Sequence, residues 1–212
     1  MIAGIVGAPV KVVAAGRTDA GVHATGQVVS FTTEKVVPWV RALNAHLPPT
    51  IAVVRAVEVP SDFHARYSAT SRAYRYTILN RPERSPVGRQ YAWHVPRPLD
   101  VETMHAAAQT LLGTHDFAAF AGASDRTNTV RTLLSSSVSS APPHVYVDVE
   151  ADAFLLHMVR NVVGTLVEIG NGCLEASELA TILASCDRSR AAATAPPHGL
   201  CFVRVRYGDA PI

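Results

Sequence analysis

The sequence predicts an α+β fold with a largely antiparallel sheet. Strand-like and helix-like segments intermix without a strict βαβ repeat, which disfavours a parallel sheet wrapped by helices. Several short runs alternate apolar and polar residues, as half-buried strands do. Nearly half of the 212 residues are apolar (48%), enough for a sizeable core in one large domain or two small ones.

The elements follow in order. Val10 to Ala15 is an apolar, β-branched run, and Gln27 to Thr33 alternates; both read as strands. Val36 to Leu47 has helical spacing, with Pro38 suited to a first turn and Pro48-Pro49 as its end. Ile51 to Val59 is strand-like. Ser71 to Asn80 places Tyr74, Tyr76 and Ile78 on one face and Arg75 and Thr77 on the other. Arg81 to Pro98 carries four prolines and reads as a loop. Asp100 caps a helix whose buried stripe is Val101, Met104, Ala108, Leu111 and Leu112, closed by Gly113. Asp116 to Phe120 is a short apolar element. Val130 to Ser139 and His144 to Ala151 are two strands around Pro142-Pro143. Helices are expected from about Asp152 to Ile169 and from Ser177 to Ser185, and a last strand from Leu200 to Tyr207.

Composition excludes several classes of protein. No run is long and apolar enough to span a bilayer, and Met1 to Pro9 lacks the basic start and cleavage site of a signal peptide. Cys173, Cys186 and Cys201 form no close pair, which argues against a zinc ribbon or a disulfide framework and suits a reducing cytoplasm. The nine histidines form no ligand spacing. Net charge is only +2, yet Lys11 and Lys35 are the only lysines. Arg66, Arg72, Arg75, Arg81, Arg84, Arg89 and Arg97 fall in a window whose one acid is Glu83. Arginine suits bidentate phosphate contacts and stacking on bases, so the window is a candidate nucleic-acid footprint; a solvated basic surface is the plainer reading.

Two stretches carry candidate chemistry. In Ala15 to Gln27, Arg17 and Asp19 sit on a loop with three glycines between two expected strands, a placement that can carry catalysis but by spacing alone is more often a simple turn. Gly16 to Gly21 has phosphate-loop spacing, but Val22-His23 stands where Lys-Ser/Thr is required, and no dinucleotide fingerprint opens a helix there. In the 152–169 segment, His157, Arg160, Asn161 and Gly164 lie at offsets of three, four and seven and share a face. On so apolar a helix the stripe directs Arg160 towards a carboxylate or phosphate, unless it only meets water.

Gly16-Arg17-Thr18-Asp19-Ala20-Gly21-Val22-His23 resembles the signature of the tRNA pseudouridine synthase A family. The resemblance continues through Asp62 to Thr70, Tyr74-Arg75-Tyr76, His157 to Gly164, Ala191 to Ala195 and Gly199-Leu200, in order along nearly all of the chain. It implies two α/β halves, residues 1–66 with the Asp19 loop and 67–212, with mainly antiparallel sheets meeting at a central basic cleft. It implies an isomerase that converts uridine to pseudouridine at positions 38, 39 and 40, in the anticodon stem-loop of tRNA, without any cofactor. The ribose bond to N1 breaks, the base turns, and a bond to C5 forms. By the same resemblance Asp19 is the catalytic nucleophile and Arg160 is its cationic partner. Tyr74 stacks on the target base and serves the C5 proton, Arg17 is linked to base flipping, and Leu200 is an apolar wall. A base must leave its stem to reach such a site, and an aromatic–apolar sandwich offsets the lost stacking. The expected assembly is a cytoplasmic homodimer on tRNA, away from any membrane.

The chain departs from the family pattern at its start. Met1 to Pro9 matches only the tail of the family's first helix, so roughly one strand and most of one helix are expected to be missing. A sheet edge would then stand unpaired and apolar surface uncovered. The competing readings are a truncated, inactive RNA-binding relative and a carboxylate-dependent hydrolase, the latter lacking a second carboxylate near Asp19.

Overall fold

The computed structural model describes residues 1–124 and 127–208. They form an α+β structure whose compact units do not follow chain order. One unit comprises Met1–Gly16, Val28–Ala69 and the described residues from Tyr207 on; the other comprises Arg17–Gln27 and Thr70–Arg206. The segment bearing Asp19 therefore packs with residues far downstream of it.

The larger unit is built on a seven-stranded sheet. Its strands are β2 (His23–Ala24), β4 (Ser71–Asn80), β5 (Trp93–Val95), β6 (Gly113–Asp116), β7 (Val130–Ala141), β8 (His144–Ala151) and β9 (Leu200–Arg206), in the order β2-β9-β4-β8-β7-β6. All pairings are antiparallel except β2 with β9 and β4 with β5. β4 is central: β8 lies along one side, and β9 and then β5 along the other. Its alternation is the expected one, with Tyr74, Tyr76 and Ile78 buried. The helices α3 (Val101–Gln109), α4 (Met158–Gly170) and α5 (Glu178–Ser185) cover that face. Asp100 caps α3 through Thr103 N at 3.0 Å, as the sequence signals.

Several segments of this unit differ from expectation: β2 and β6 form where no strand is expected, and α3 ends at Gln109, with Leu112 exposed and Gly113 opening β6 rather than closing the helix. β5 lies inside the proline-rich 81–98 stretch, where Asn80 Nδ2 donates to the Val95 and Arg97 carbonyls and holds the strand against β4. The helix expected from Asp152 starts only at Met158. The Asp152 carboxylate accepts from Thr132 N and Ala153 N, tying residues 152–153 to β7, and His157 has a left-handed φ of 59° that no helix can include.

The smaller unit holds α1 (Ile2–Val6), α2 (Trp39–Asn44) and a two-stranded sheet of β1 (Val13–Ala14) with β3 (Val29–Ser30). Each is shorter than the sequence suggests. The 51–59 segment forms no strand, for a specific reason. The Asn44 side chain accepts from Val53 N at 2.7 Å and donates to Val53 O at 2.8 Å, taking the groups a ladder would use. Val36, Ile51, Val54 and Val57 are exposed.

Candidate active site

The Asp19 loop is stitched to the large sheet from its far side. β2 pairs in parallel with β9, His23 opposite Cys201 and Ala24 opposite Phe202. Thr25 N and Gly26 N both donate to Phe202 O, at 2.9 and 3.1 Å. Only glycine fits at 26: a Cβ there would lie 2.2 Å from Val203 O. Before β2 the chain turns, with Val22 N donating to Asp19 O at 3.1 Å and Gly21 at φ 82°. The turn leaves the Asp19 carboxylate at the sheet surface, its side chain 24% exposed.

Arg160 meets that carboxylate from the first turn of α4. Its Nη1 lies 2.9 Å from Asp19 Oδ2, and its Nε donates to Ala195 O at 2.8 Å. The second contact matters because it fixes the plane of the guanidinium. Ala195 in turn donates its N–H to Arg160 O at 3.1 Å, closing a reciprocal clasp between α4 and the 191–195 segment. The clasp has its own foundation. Asn161, fully buried, donates to Phe120 O and accepts at Oδ1 from Arg188 Nη2 (3.1 Å) and Thr194 Oγ1 (2.7 Å). Thr165 Oγ1 accepts from Ala192 N at 3.2 Å. Gly164 permits the close approach, since a Cβ there would lie 2.0 Å from Ala193 O.

Tyr74 stands behind the acid on β4. Its ring stacks on Phe202 (centroids 4.8 Å apart, planes at 23°) and meets Phe154 edge-on at 5.0 Å. Burial first, and the negative charge of Asp19 second, push its hydroxyl up to about 12, so the phenol keeps its proton at neutral pH. Leu200 opens β9, buried opposite Tyr76. Tyr76 is raised too, by burial, and its hydroxyl donates to Pro196 O at 2.7 Å. His157 Nε2 lies 3.4 Å from Asp19 Oδ2, on the same oxygen as Arg160.

Of the residues singled out in the sequence, Asp19 and Arg160 are thus in contact, and Tyr74 is within electrostatic reach of Asp19. Leu200 is in the core beside these strands. Arg17 is exposed, and no hydrogen bond or ion pair joins it to the others among the described residues. The stripe is accounted for residue by residue: His157, just ahead of α4, and Arg160 face Asp19, Asn161 anchors the 191–195 segment, and Gly164 admits it. Arg188 and Thr194 were not legible, because their partner Asn161 lies 27 and 33 residues away with no period linking them. Part of the arginine window is engaged within the fold. Arg75 forms a bidentate pair with Asp148 and lies over Tyr146, Arg72 donates to Asp152 O, and Arg81 donates to Glu83 O.

A carboxylate paired with a guanidinium, a protonated phenol within electrostatic reach and a helix clasped to the 191–195 segment define an acid–arginine site. Comparison with known proteins gives the family. A family model described as tRNA pseudouridine synthase matches residues 4–68 and 107–208. A protein of Moorella thermoacetica named tRNA pseudouridine synthase A is 50% identical over 207 residues, covering 96% of this chain and 84% of the relative. Proteins of the same name from Myxococcus xanthus (50% over 212 residues, 98% and 80%) and Shewanella amazonensis (50% over 205 residues, 95% and 78%) are similar to the same degree. The chain belongs to the tRNA pseudouridine synthase family. Tyr74 lies in the 69–106 stretch outside the matched segments of the family model, but inside the span shared with the relatives.

Proposed function

We propose that this protein isomerises uridine to pseudouridine in the anticodon arm of tRNA, at positions 38 to 40, with Asp19 as the nucleophile. One observation carries the reading. The acid of the Gly-Arg-Thr-Asp-Ala-Gly-Val-His loop is ion-paired, at 2.9 Å, with an arginine 141 residues away on α4. A nucleophilic carboxylate needs to be fixed in direction, and a guanidinium whose plane is itself held by Ala195 O supplies that condition.

In this reading the carboxylate adds to the bound nucleotide and the glycosidic bond to N1 breaks. The base rotates and bonds to the ribose through C5, the carboxylate's bond to the nucleotide breaks, N1 takes up a proton and the C5 proton leaves to solvent. Atoms and electrons balance without an oxidant or a phosphoryl donor, so no cofactor is required. Tyr74, protonated and wedged between Phe202 and Phe154, serves as an aromatic surface and hydrogen-bond donor beside the everted base. Leu200 is the apolar wall, and Arg17, exposed next to Asp19, fills the space a flipped nucleotide vacates. The remaining exposed arginines hold RNA by its phosphates, which makes binding salt-dependent. Two copies act together on one tRNA, in the cytoplasm where the substrate is. No helix among the described residues is long and apolar enough to cross a membrane.

The test is release of tritium from tRNA carrying C5-tritiated uridine. The protein should release it, and Asp19→Asn should reduce release by at least about a thousandfold, as loss of a nucleophile does. Normal release by Asp19→Asn would end the proposal, and salt-dependent tRNA binding with no release by either protein would make the chain a binding relative instead.

A further inference from the structure

His157 is held in a conformation that disfavours it. Its φ of 59° lies in the left-handed region, which Cys186 alone shares among the described non-glycine residues. Glycine adopts this region freely, whereas a side chain is strained there. Such strain persists only where the surroundings impose it, and it gathers at working sites.

The surroundings here are specific. Gly122 N donates to Leu156 O at 2.7 Å, and Asn161 N donates to His157 O at 2.9 Å, so the backbone is fixed on both sides of the kink. A Cβ at Gly122 would lie 2.9 Å from His157 Nδ1; the bare glycine lets the ring seat against that segment. With Nδ1 turned to Gly122, Nε2 is turned to Asp19. At 3.4 Å from Oδ2 it is a long contact, of the kind that tightens when a substrate closes the site.

Both nitrogen contacts to the Asp19 carboxylate, Arg160 Nη1 and His157 Nε2, fall on Oδ2. Among the described residues no hydrogen bond or ion pair falls on Oδ1. We propose that His157 is a positioning residue that, with Arg160, clamps Oδ2 so that Oδ1 is the oxygen presented to the uridine. The proposal rests on the reading of Asp19 as nucleophile. It explains why a strained histidine occupies the N-terminus of α4, where a glycine would be relaxed.

The strain supplies the test. If His157 only filled space, His157→Gly would be at least as stable as wild type and as active. As a clamp, His157→Gly keeps or raises the melting temperature while kcat for tritium release falls by about tenfold or more, the scale of losing an orienting contact. KM stays within about twofold. His157→Gln, which restores an N–H donor, recovers most of the loss. Gly122→Ala, which leaves His157 in place but crowds its Nδ1 side, lowers kcat in the same sense. Wild-type kcat in His157→Gly, or no recovery in His157→Gln, overturns the clamp. The two failures are separable. No release by wild type removes the reaction itself, whereas release by wild type, none by Asp19→Asn and full release by His157→Gly remove only the clamp.

Discussion

At the scale of single residues, Tyr74 couples the site to stability. Its folded-state value, about 12, lies above the ordinary 10.0. The stability this represents is fully present below about pH 10 and is lost as pH rises towards 12. That rise corresponds to about 3 kcal/mol, a large share of a domain's total. Tyr76, raised by burial, acts in the same direction. Tyr74→Phe should therefore lose less melting temperature between pH 9 and 11 than wild type does, measured by circular dichroism. An equal loss in both proteins would mean that Tyr74 does not titrate with unfolding. The Asp19 and Arg160 pair was implied by the family resemblance of the two stretches that carry them, whereas helical spacing alone left Arg160's partner open between a carboxylate, a phosphate and water. The strain at His157 was not, since nothing in composition announces a left-handed φ.

Single elements carry the next level. α4 is the site's scaffold, and it works only because the 191–195 segment lies against it. Gly164 marks the contact. In a helix interior Gly→Ala ordinarily stabilises by up to about 1 kcal/mol. Here the new methyl would strike Ala193 O, so Gly164→Ala should instead destabilise by about 1 to 3 kcal/mol, as overpacking does, and should weaken tritium release by loosening Ala195 from Arg160. Urea unfolding measures the first effect, and a stabilised Gly164→Ala would refute the account of the clasp. Two long strands were legible: Ser71–Asn80 and His144–Ala151 have the bounds their alternation implies, and Asp100 caps the helix it was expected to cap. Short elements before residue 60 were not. There pairing is decided by what competes for the backbone, as when Asn44 takes both polar groups of Val53. β5 was hidden by the prolines around it, because a three-residue strand has too few residues to show a period.

Across the whole molecule, Glu150 ties three strands together. From β8 it accepts from Ser71 on β4 and from Arg204 and Arg206 on β9, reaching over β4. Burial, the largest single influence, pushes its carboxyl upward, but these three partners outweigh it, and the carboxyl lies below its ordinary 4.5. A depressed folded value means stability that is present above pH 4.5 and lost as pH falls through the folded value. Wild type should lose melting temperature on acidification from pH 5 to 3, and Glu150→Gln should start lower and lose less. A parallel decline in the two proteins would show that the hub does not titrate.

The parallel pairing of β2 with β9 has a consequence for how the enzyme comes into being. Its acid is translated long before the strand that seats it. The nascent chain thus carries Asp19 unseated until β9 has been made. A polypeptide that stops short of residue 200 holds the Asp19 loop without the bench on which it is mounted.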